Sequence, residues 1–329
     1  MKALVYDGPE KLDFRDVPVP TPEADQHLIK VMSVGVCGSD MHAYLGHDDR
    51  RPAPLILGHE AAGVIVGGPR DGERVTVNPL VSCGTCPACK SGRDNLCPER
   101  MIISMPPREG AFAQFIAMRG ENLVTVPDHV SLDAASLAEP IACGWHTVKL
   151  AKEALSGSAK TALVIGGGAI GLGAALSLSA QGVNIVTIVE PNALRRDVLN
   201  TQCGQTTISP DDLSADAMFD LVIDGVGYAA TRATASAHTR PGGVIGHIGL
   251  GEGTGGLDVR RMTLQEITFI GTYTYTAQDF RDTAAAIFDG RLGTLDWTEQ
   301  RPLSDGASAF SDILAGLTAA PKIILNPHI

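Results

Sequence analysis

A glycine-rich turn at residues 166–171 constrains the fold of this chain more than any other segment. Its sequence, Gly-Gly-Gly-Ala-Ile-Gly, follows an apolar strand-like run at 161–165 and opens a helix-like run rich in Ala and Leu. Glycine at 166 permits a tight turn, Gly168 lets the backbone approach a ligand, and Gly171 lets the helix pack closely on a sheet. The pattern predicts a strand–turn–helix unit of a parallel α/β sheet.

The same turn predicts a dinucleotide site, because phosphates at this position meet the partly positive N-terminus of the following helix. The second apolar run ends in Glu190, 19 residues after Gly171. An acidic residue there can accept hydrogen bonds from the ribose of the adenosine and repels a 2′-phosphate. We therefore expect NAD rather than NADP. The nearby Arg195 and Arg196 count against this, since an arginine there could accept the phosphate.

Two parts of the chain differ in pattern. Residues 1–145 contain many short apolar runs broken by Gly and Pro, which predicts a mostly-β, partly barrel-like domain. Residues 146–275 alternate apolar strands with helical stretches, which predicts βαβ units around a parallel sheet. The tail, 276–329, has a helical stretch at 279–288 and an apolar strand at 322–325, and we assign it to the first domain.

Four clustered cysteines predict a bound zinc ion. Cys83, Cys86, Cys89 and Cys97 are separated by two, two and seven residues, and four thiolates can surround a tetrahedral Zn²⁺. The alternative is a pair of disulfides, which an intracellular enzyme would not keep. Since four protein ligands leave no open position, this zinc would hold a lobe together and take no part in the chemistry.

Composition excludes several classes of partner. The chain of 329 residues has a net charge of −11 and lacks Lys/Arg-rich runs, which argues against nucleic acid and against anionic membranes. No apolar stretch reaches the ~18 residues that a membrane span needs. The N-terminal residues show no secretory leader pattern. Together these features predict a cytoplasmic protein with a small-molecule substrate.

Three separated pieces predict a second metal site. They are Cys37-Gly38-Ser39-Asp40-Met41-His42, Gly58-His59-Glu60 and Glu139-Pro140. Cys, His and carboxylate side chains suit zinc, and a catalytic zinc keeps one position open for water or substrate. Beside a dinucleotide motif and a four-cysteine zinc loop, we expect the three pieces to form one site.

With these motifs the chain resembles the zinc-dependent medium-chain dehydrogenases and reductases, the superfamily of alcohol and polyol dehydrogenases. The resemblance covers essentially the whole chain. It implies a GroES-like catalytic domain, a Rossmann domain that binds NAD, and two zinc ions per chain, one catalytic and one structural. Glu139 followed by Pro140 is similar to the sorbitol and threonine dehydrogenase branches, where classical alcohol dehydrogenases have cysteine.

The resemblance also implies roles for individual residues. Cys37 and His59 would bind the catalytic zinc, with either Glu60 or Glu139 as a further ligand. Asp40 is similar to the carboxylate that orients the zinc-binding histidine. Ser39 and His42 resemble the relay that carries the proton of the alcohol to solvent. The expected cofactor-binding residues are Gly166, Gly168, Ala169, Ile170, Gly171, Glu190, Arg195, Leu250 and Tyr273.

Substrate preference is the least constrained expectation. Tyr44, Trp145 and Thr274 are candidate walls of the substrate pocket. Sorbitol dehydrogenases tend to carry an arginine near 271–276, and this chain has none there, which argues against sorbitol itself. We expect oxidation of a secondary alcohol of a small polyol or diol to a ketone.

Two other functions compete with this one. A threonine-type amino alcohol dehydrogenase would need an acidic group to hold the substrate ammonium, and no residue can be assigned to that role. A non-catalytic sensor that binds NAD and a structural zinc would be expected to lack part of the catalytic set, which is complete here. The resemblance further implies a homodimer or homotetramer, and the strand-like run at 266–274 could pair between cofactor domains.

Overall fold

A computed structural model describes all residues from Met1 to Ile329. The strands are β1 Lys2–Gly8, β2 Lys11–Asp16, β3 Gln26–Gly35, β4 Leu55–Ile56, β5 Glu60–Val66, β6 Arg74–Val77, β7 Leu80–Val81, β8 Met101–Ile102, β9 Phe115–Arg119, β10 Leu123–Thr125, β11 Thr161–Ile165, β12 Ile185–Val189, β13 Thr206–Ile208, β14 Phe219–Asp224, β15 Thr239–His247, β16 Thr268–Gly271, β17 Thr298–Pro302 and β18 Lys322–Asn326. The helices are α1 Gly38–Tyr44, α2 Pro87–Lys90, α3 Leu132–Ser136, α4 Ala138–Ala154, α5 Ala169–Ala180, α6 Ala193–Thr201, α7 Ala229–His238, α8 Val259–Leu264, α9 Ala277–Phe288 and α10 Gly306–Leu314.

The chain divides into two compact units. The first comprises 1–139, 276–290 and 298–329, and the second comprises 140–275 and 291–297. The division therefore falls in the first turn of α4, not at 145/146 as expected from the sequence. The short segment 291–297 belongs to the second unit, whereas the sequence analysis assigned the whole tail to the first.

The first unit is mostly β. Its largest sheet has seven strands, with β10, β6, β5, β3, β18 and β17 in that order and β9 also paired to β3. A second sheet has the order β2-β1-β4. The strand β18 pairs antiparallel with β3, so that Ile324 lies opposite Gly35. The tail of the chain thus completes the sheet that carries the start of the metal site.

The second unit contains one sheet of six parallel strands in the order β13-β12-β11-β14-β15-β16. The strand order reverses beside β11, as in a doubly wound dinucleotide-binding fold. Its strands carry the buried residues Leu163, Val222 and Ile245 of the core. This arrangement confirms the predicted Rossmann-type unit beside a mostly-β unit. None of the helices is long and apolar enough to cross a membrane.

Candidate active site

Cys37, His59 and Glu60 converge in the first unit. Their ligand atoms all lie within 4.8 Å of one another. Cys37 caps the N-terminus of α1, directly after β3, and His59 precedes the first residue of β5. Antiparallel pairing of β3 with β5 places Gly35 opposite Glu60, so the ladder itself brings the two sequence-distant segments together.

Asp40 connects the two segments through its carboxylate. Its Oδ2 accepts a hydrogen bond from the Cys37 amide at 3.0 Å and its Oδ1 accepts one from the Gly58 amide at 3.1 Å. Oδ1 also lies 3.5 Å from Nδ1 of His59. Because Nδ1 faces Asp40, the other ring nitrogen, Nε2, is the one available to a metal.

The electrostatics of this pair favour a charged carboxylate. Burial opposes the charged form of Asp40, but the charge of His59 and the Cys37 amide hold the pKa of the carboxyl below its ordinary value. Burial also opposes a charged His59, but Asp40 and Cys37 together outweigh it and raise the pKa of the imidazole well above its usual range. A positive ion beside this group is therefore favoured by the fixed charge of Asp40.

Glu60 is fully buried and only partly satisfied. Its Oε1 accepts a hydrogen bond from Nζ of Lys322 at 2.6 Å, whereas its Oε2 is buried and has no hydrogen-bond partner. A side chain at Gly35 would overlap Oε2, so the glycine creates the space that this oxygen occupies. An orphaned carboxylate oxygen beside a thiol and an imidazole suits a divalent cation.

These residues fit a catalytic zinc ion. Sulfur, nitrogen and carboxylate oxygen are the donors that zinc selects in enzymes. Glu139 lies outside the set of mutually close ligand atoms, although it is 6% exposed and occupies the first turn of α4. The pKa of Lys322 is raised against the effect of burial, first by Glu60, then by Cys37, and more weakly by Glu139. The described geometry thus supports Glu60 as the further ligand more directly than Glu139.

Two buried residues that the sequence analysis did not single out support the metal site. Ser104 is fully buried, has a left-handed backbone with φ of 69°, and its Oγ lies 3.3 Å from Nδ1 of His59. Arg51, 3% exposed, donates from Nε to the Ser104 carbonyl at 3.0 Å and from Nη1 to the Ser39 carbonyl at 3.3 Å. The guanidinium therefore links the segment of Ser39 to the segment that contacts His59.

The four cysteines of the lobe also converge. Their sulfur atoms lie within 4.8 Å of one another, with Cys83 to Cys89 at 3.9 Å and Cys86 to Cys89 at 3.5 Å. Thiolates around a tetrahedral zinc at about 2.3 Å would lie about 3.8 Å apart, so the cluster fits the ion. N–H donors, first that of Thr85, lower the pKa of Cys83 to about 6. None of the four cysteines of the lobe forms a disulfide, which contradicts the disulfide alternative.

The glycine turn of the second unit has the geometry that the sequence predicts. Gly166 follows β11 with a φ of 95°, and a Cβ on Gly171 would overlap the Gly166 carbonyl. Gly168 caps the N-terminus of α5, ahead of Ala169 and Ile170, and the space beside its Cα is open. A phosphate could approach the backbone at this point.

Glu190 ends β12 next to this turn and is 4% exposed. Its Oε2 accepts a hydrogen bond from the Gly167 amide at 2.8 Å, and its Oε1 accepts one from the Asn192 amide at 2.8 Å. Each oxygen keeps a second lone pair for a ribose hydroxyl. Arg195 stands in the first turn of α6, where its amide donates to Asn192. The carboxylate thus holds the shape of the turn.

Two models of known protein families match parts of this chain. The family described as "Alcohol dehydrogenase GroES-like domain" matches residues 23–128, and that described as "Zinc-binding dehydrogenase" matches residues 169–289. Sorbitol dehydrogenase of Bacillus subtilis (strain 168) is 35% identical over 76% of this chain and 75% of that protein. L-galactonate-5-dehydrogenase of Escherichia coli (strain K12) is 31% identical over 89% of this chain and 88% of that protein.

The chain belongs to the zinc-dependent alcohol and polyol dehydrogenase family. Among solved structures, a zinc-binding dehydrogenase from Sinorhizobium meliloti 1021 bound to NADP superposes with a TM-score of 0.86. It is 26% identical and the match covers 99% of both chains. As a member of this family the protein is an oxidoreductase that acts on a small-molecule alcohol and uses zinc and a nicotinamide cofactor.

Not every predicted pocket residue lies at a site in the structure. Tyr44 belongs to the core of the first unit, where its ring packs edge-on against Phe310 with centroids 5.1 Å apart. It therefore serves packing and is not kept as a pocket wall. Trp145 lies in the second unit, 8% exposed, with the Arg291 guanidinium 5.8 Å from its ring centroid.

Three further predicted residues lie in loops after strands of the parallel sheet. Leu250 follows β15 and is 75% exposed, while Tyr273 and Thr274 follow β16. Ligands of such sheets bind beyond the carboxyl ends of the strands, which supports a place for these residues near the cofactor. Thr274 also has a left-handed φ of 46°, and its Oγ1 is buried without a partner.

Proposed function

We propose that the protein oxidises a secondary alcohol of a small polyol or diol to a ketone, with reduction of NAD to NADH. The convergence of Cys37, His59 and Glu60 around a single point carries this proposal. The relatives support the substrate class, because sorbitol and L-galactonate are both chains of hydroxylated carbons. The reaction transfers a hydride from carbon to the cofactor and releases one proton.

Zinc held by Cys37, His59 and Glu60 would act as a Lewis acid on the substrate oxygen. Asp40 keeps the His59 ring oriented by holding its Nδ1, and Arg51 keeps the Ser39 segment in register with Ser104. The protein therefore supplies a fixed set of donors, so that little reorganisation is needed during the reaction.

We assign the movement of the proton to Ser39 and His42. Both lie on α1, three residues apart and thus on one face of the helix. Ser39 is half-buried and His42 is exposed. We infer that Ser39 accepts the proton of the substrate hydroxyl and that His42 releases a proton to solvent.

NAD would accept the hydride at its nicotinamide ring. The residues of this chain that would hold it are those of the turn at 166–171, at the N-terminus of α5, and Glu190, which would favour an unphosphorylated ribose. The carboxylate of Glu190 is fixed by the amides of Gly167 and Asn192. A 2′-phosphate would meet this fixed negative charge.

The first experiment is an assay of NADH formation at 340 nm with NAD and NADP in parallel. The panel contains vicinal diols, C4–C6 polyols, simple secondary alcohols and threonine. Turnover of polyols or diols with NAD is the expected result. Turnover of threonine alone would favour the amino alcohol alternative, and a preference for NADP would overturn the role given to Glu190.

The relay is tested with Ser39→Ala. General acid–base groups contribute about 10²–10⁴-fold to rate, so kcat should fall by at least about a hundredfold while the Kd for NAD is unchanged. Ser308→Ala is the control, because Ser308 is exposed and bonds only to the Asp305 carbonyl. A loss of NAD affinity equal to the loss of kcat would contradict the relay.

We also propose a homo-oligomer that pairs the sheets of its second units. The strand β16 is the edge of the six-stranded sheet, and Val259 and Leu264 of the preceding helix are 66% and 71% exposed. An open edge beside exposed apolar residues is a template for pairing. Sedimentation velocity of the wild type should show a dimer or tetramer, and Leu264→Asp should shift it to a smaller species. A wild-type monomer would overturn the proposal.

The compartment that we propose is the cytoplasm. The four cysteines of the lobe form no disulfide and must stay reduced to bind zinc. Fractionation of the native host tests this directly. Recovery in an oxidising compartment would contradict it.

A further inference from the structure

A cavity in the first unit lies apart from the metal site. Its volume is about 690 Å³, within the ~300–1,000 Å³ that small-molecule sites occupy. None of Cys37, His59 and Glu60 lines it. The cavity is bordered by β1, the loop after β2, β4, the loop before Gly110, and β9.

Apolar side chains form much of its wall. Val17, Val19, Ile56, Phe115 and Ile116 are among the lining residues. Phe115 and Ile116 start β9, and Val19 is 46% exposed at the rim. A body of aliphatic or aromatic carbon would bury apolar surface against this wall.

Most charged groups that line the cavity already have partners. Arg15 pairs with Asp7 and Asp13, and Arg119 pairs with Asp25 at 3.1 Å. The two lining carboxylates, Glu23 and Glu109, each accept a hydrogen bond from a neutral donor. Glu109 accepts a hydrogen bond from the Ile56 amide at 2.6 Å, and Glu23 accepts one from the Gln26 side chain at 3.2 Å.

Arg108 is the exception. Its Nη2 donates to the Ala117 carbonyl at 3.2 Å and contacts the Met118 sulfur at 3.3 Å, but no carboxylate lies within ion-pair distance. Its Nε is buried and has no hydrogen-bond partner, and Nη1 has no protein acceptor. Burial and then the charge of Arg119 lower the pKa of this guanidinium, against smaller opposing effects of Glu23 and Asp25. A half-buried guanidinium without an anion is costly unless a ligand supplies one.

We propose that this cavity binds a small amphiphilic monocarboxylate, with its carboxylate on the Arg108 guanidinium and its apolar body against Val17, Val19 and Phe115. A carboxylate matches the fork of an arginine and forms charge-assisted hydrogen bonds with it. The nearby Glu23 and Glu109 disfavour ligands of higher negative charge.

The proposal does not depend on the proposed reaction, because binding is measured without turnover. Calorimetric titration of the full-length protein with sodium octanoate should show saturable binding. The neutral octanamide is the matched ligand and should bind at least about tenfold more weakly, since it cannot form the ion pair.

Variants assign the binding to this cavity. Arg108→Met should weaken octanoate binding by at least about tenfold. Arg15→Met removes a lining arginine that is already paired and is the control, with an expected change below about twofold. Val19→Asp places a negative charge at an exposed rim position and should weaken binding even if Arg108→Met does not fold.

Three results would overturn the proposal. They are no binding of octanoate to the wild type, binding that survives both Arg108→Met and Val19→Asp, and competition between octanoate and the alcohol substrate. The last would place the fatty acid at the metal site. Loss of alcohol oxidation in an otherwise binding-competent protein would instead concern only the proposed reaction.

Discussion

The ammonium of Lys322 lies 2.6 Å from Oε1 of Glu60, and the two residues are 4% and 0% exposed. Nζ also donates to the Val36 carbonyl at 2.9 Å. The lysine thus holds one oxygen of the candidate zinc ligand and leaves the other, Oε2, buried without a hydrogen-bond partner. It neutralises Glu60 and fixes its orientation in the same contact.

Replacing Lys322 by methionine should therefore destabilise the protein, and the loss should be larger without zinc than with zinc bound. Breaking a buried pair by removal of one partner costs about 3–5 kcal/mol. Bound zinc would compensate part of the unpaired charge that Glu60 then carries, so the loss should be smaller in the zinc-loaded protein. Urea unfolding with and without zinc measures both values. The double variant Lys322→Met/Glu60→Gln is the control and should recover part of the loss, and equal losses in both metal states would contradict this role.

Gly35→Ala should displace Glu60. A Cβ at this position overlaps Oε2 of Glu60, so either the carboxylate or the β3–β5 ladder must move. We expect kcat/KM to fall by at least about tenfold, equivalent to about 1.4 kcal/mol, with reduced zinc content by elemental analysis. Gly38→Ala is the matched control, because a Cβ there meets nothing within 4 Å. Similar effects of the two variants would show that the space at Gly35 is not the cause.

Arg51→Met should loosen two segments of the site at once. It leaves the Ser104 and Ser39 carbonyls without their donor, and each unsatisfied buried group costs about 1–3 kcal/mol. The midpoint temperature of thermal unfolding and kcat should both decrease. Arg50→Met is the control, since the side chain of Arg50 is 61% exposed and pairs with Asp48, the carboxylate that also pairs with Arg51 at 2.8 Å. A change confined to stability, with kcat unaltered, would mean that Arg51 does not position the catalytic segments.

The Arg70–Glu73 pair should make stability depend on acid pH. The hydrogen bond from Arg70, assisted by the Thr125 hydroxyl and the charges of Arg70 and His27, lowers the pKa of Glu73 to about 2 from an ordinary 4.5. A lowered native pKa stabilises the fold above the unfolded pKa, and this contribution is lost as pH falls from about 4.5 toward 2. The stability difference between wild type and Glu73→Gln should therefore shrink over this range. A difference that is constant between pH 6 and pH 3 in urea titrations would contradict the assignment.

The cysteine lobe should hold one of about two zinc ions per chain. Cys97 is fully buried, so Cys97→Ser should lower the zinc content to about one and reduce stability. NAD binding should remain, because the glycine turn belongs to the other unit. Cys203→Ser is the control, since this cysteine lies outside both clusters. A zinc content that is unchanged in Cys97→Ser would refute the structural site.

The sequence predicted most of the fold because its signals are local. The apolar run at 161–165 and the glycines after it define β11 and the start of α5 within a residue or two. Likewise, Cys83, Cys86 and Cys89 lie close together in one short segment of the sequence. Such patterns depend on neighbouring residues alone, so no tertiary information is needed to read them.

The supporting residues of the metal site could not be predicted in this way. Lys322 and Gly35 become significant only through the pairing of β18 with β3 and of β3 with β5. Ser104 and Arg51 act through backbone carbonyls, which any residue type carries, and so leave no motif. A lysine in an otherwise apolar terminal strand was the one available signal, because lysine is almost never fully buried without a partner.

The division of the first unit around the second has a consequence for synthesis on the ribosome. Glu60 emerges 262 residues before Lys322, and the whole parallel sheet is made in between. Until β18 arrives, β3 lacks one neighbour and Glu60 lacks its counter-ion. Early nascent chains therefore present an open strand edge and an uncompensated carboxylate, and zinc captured at that stage would be the available partner for that charge.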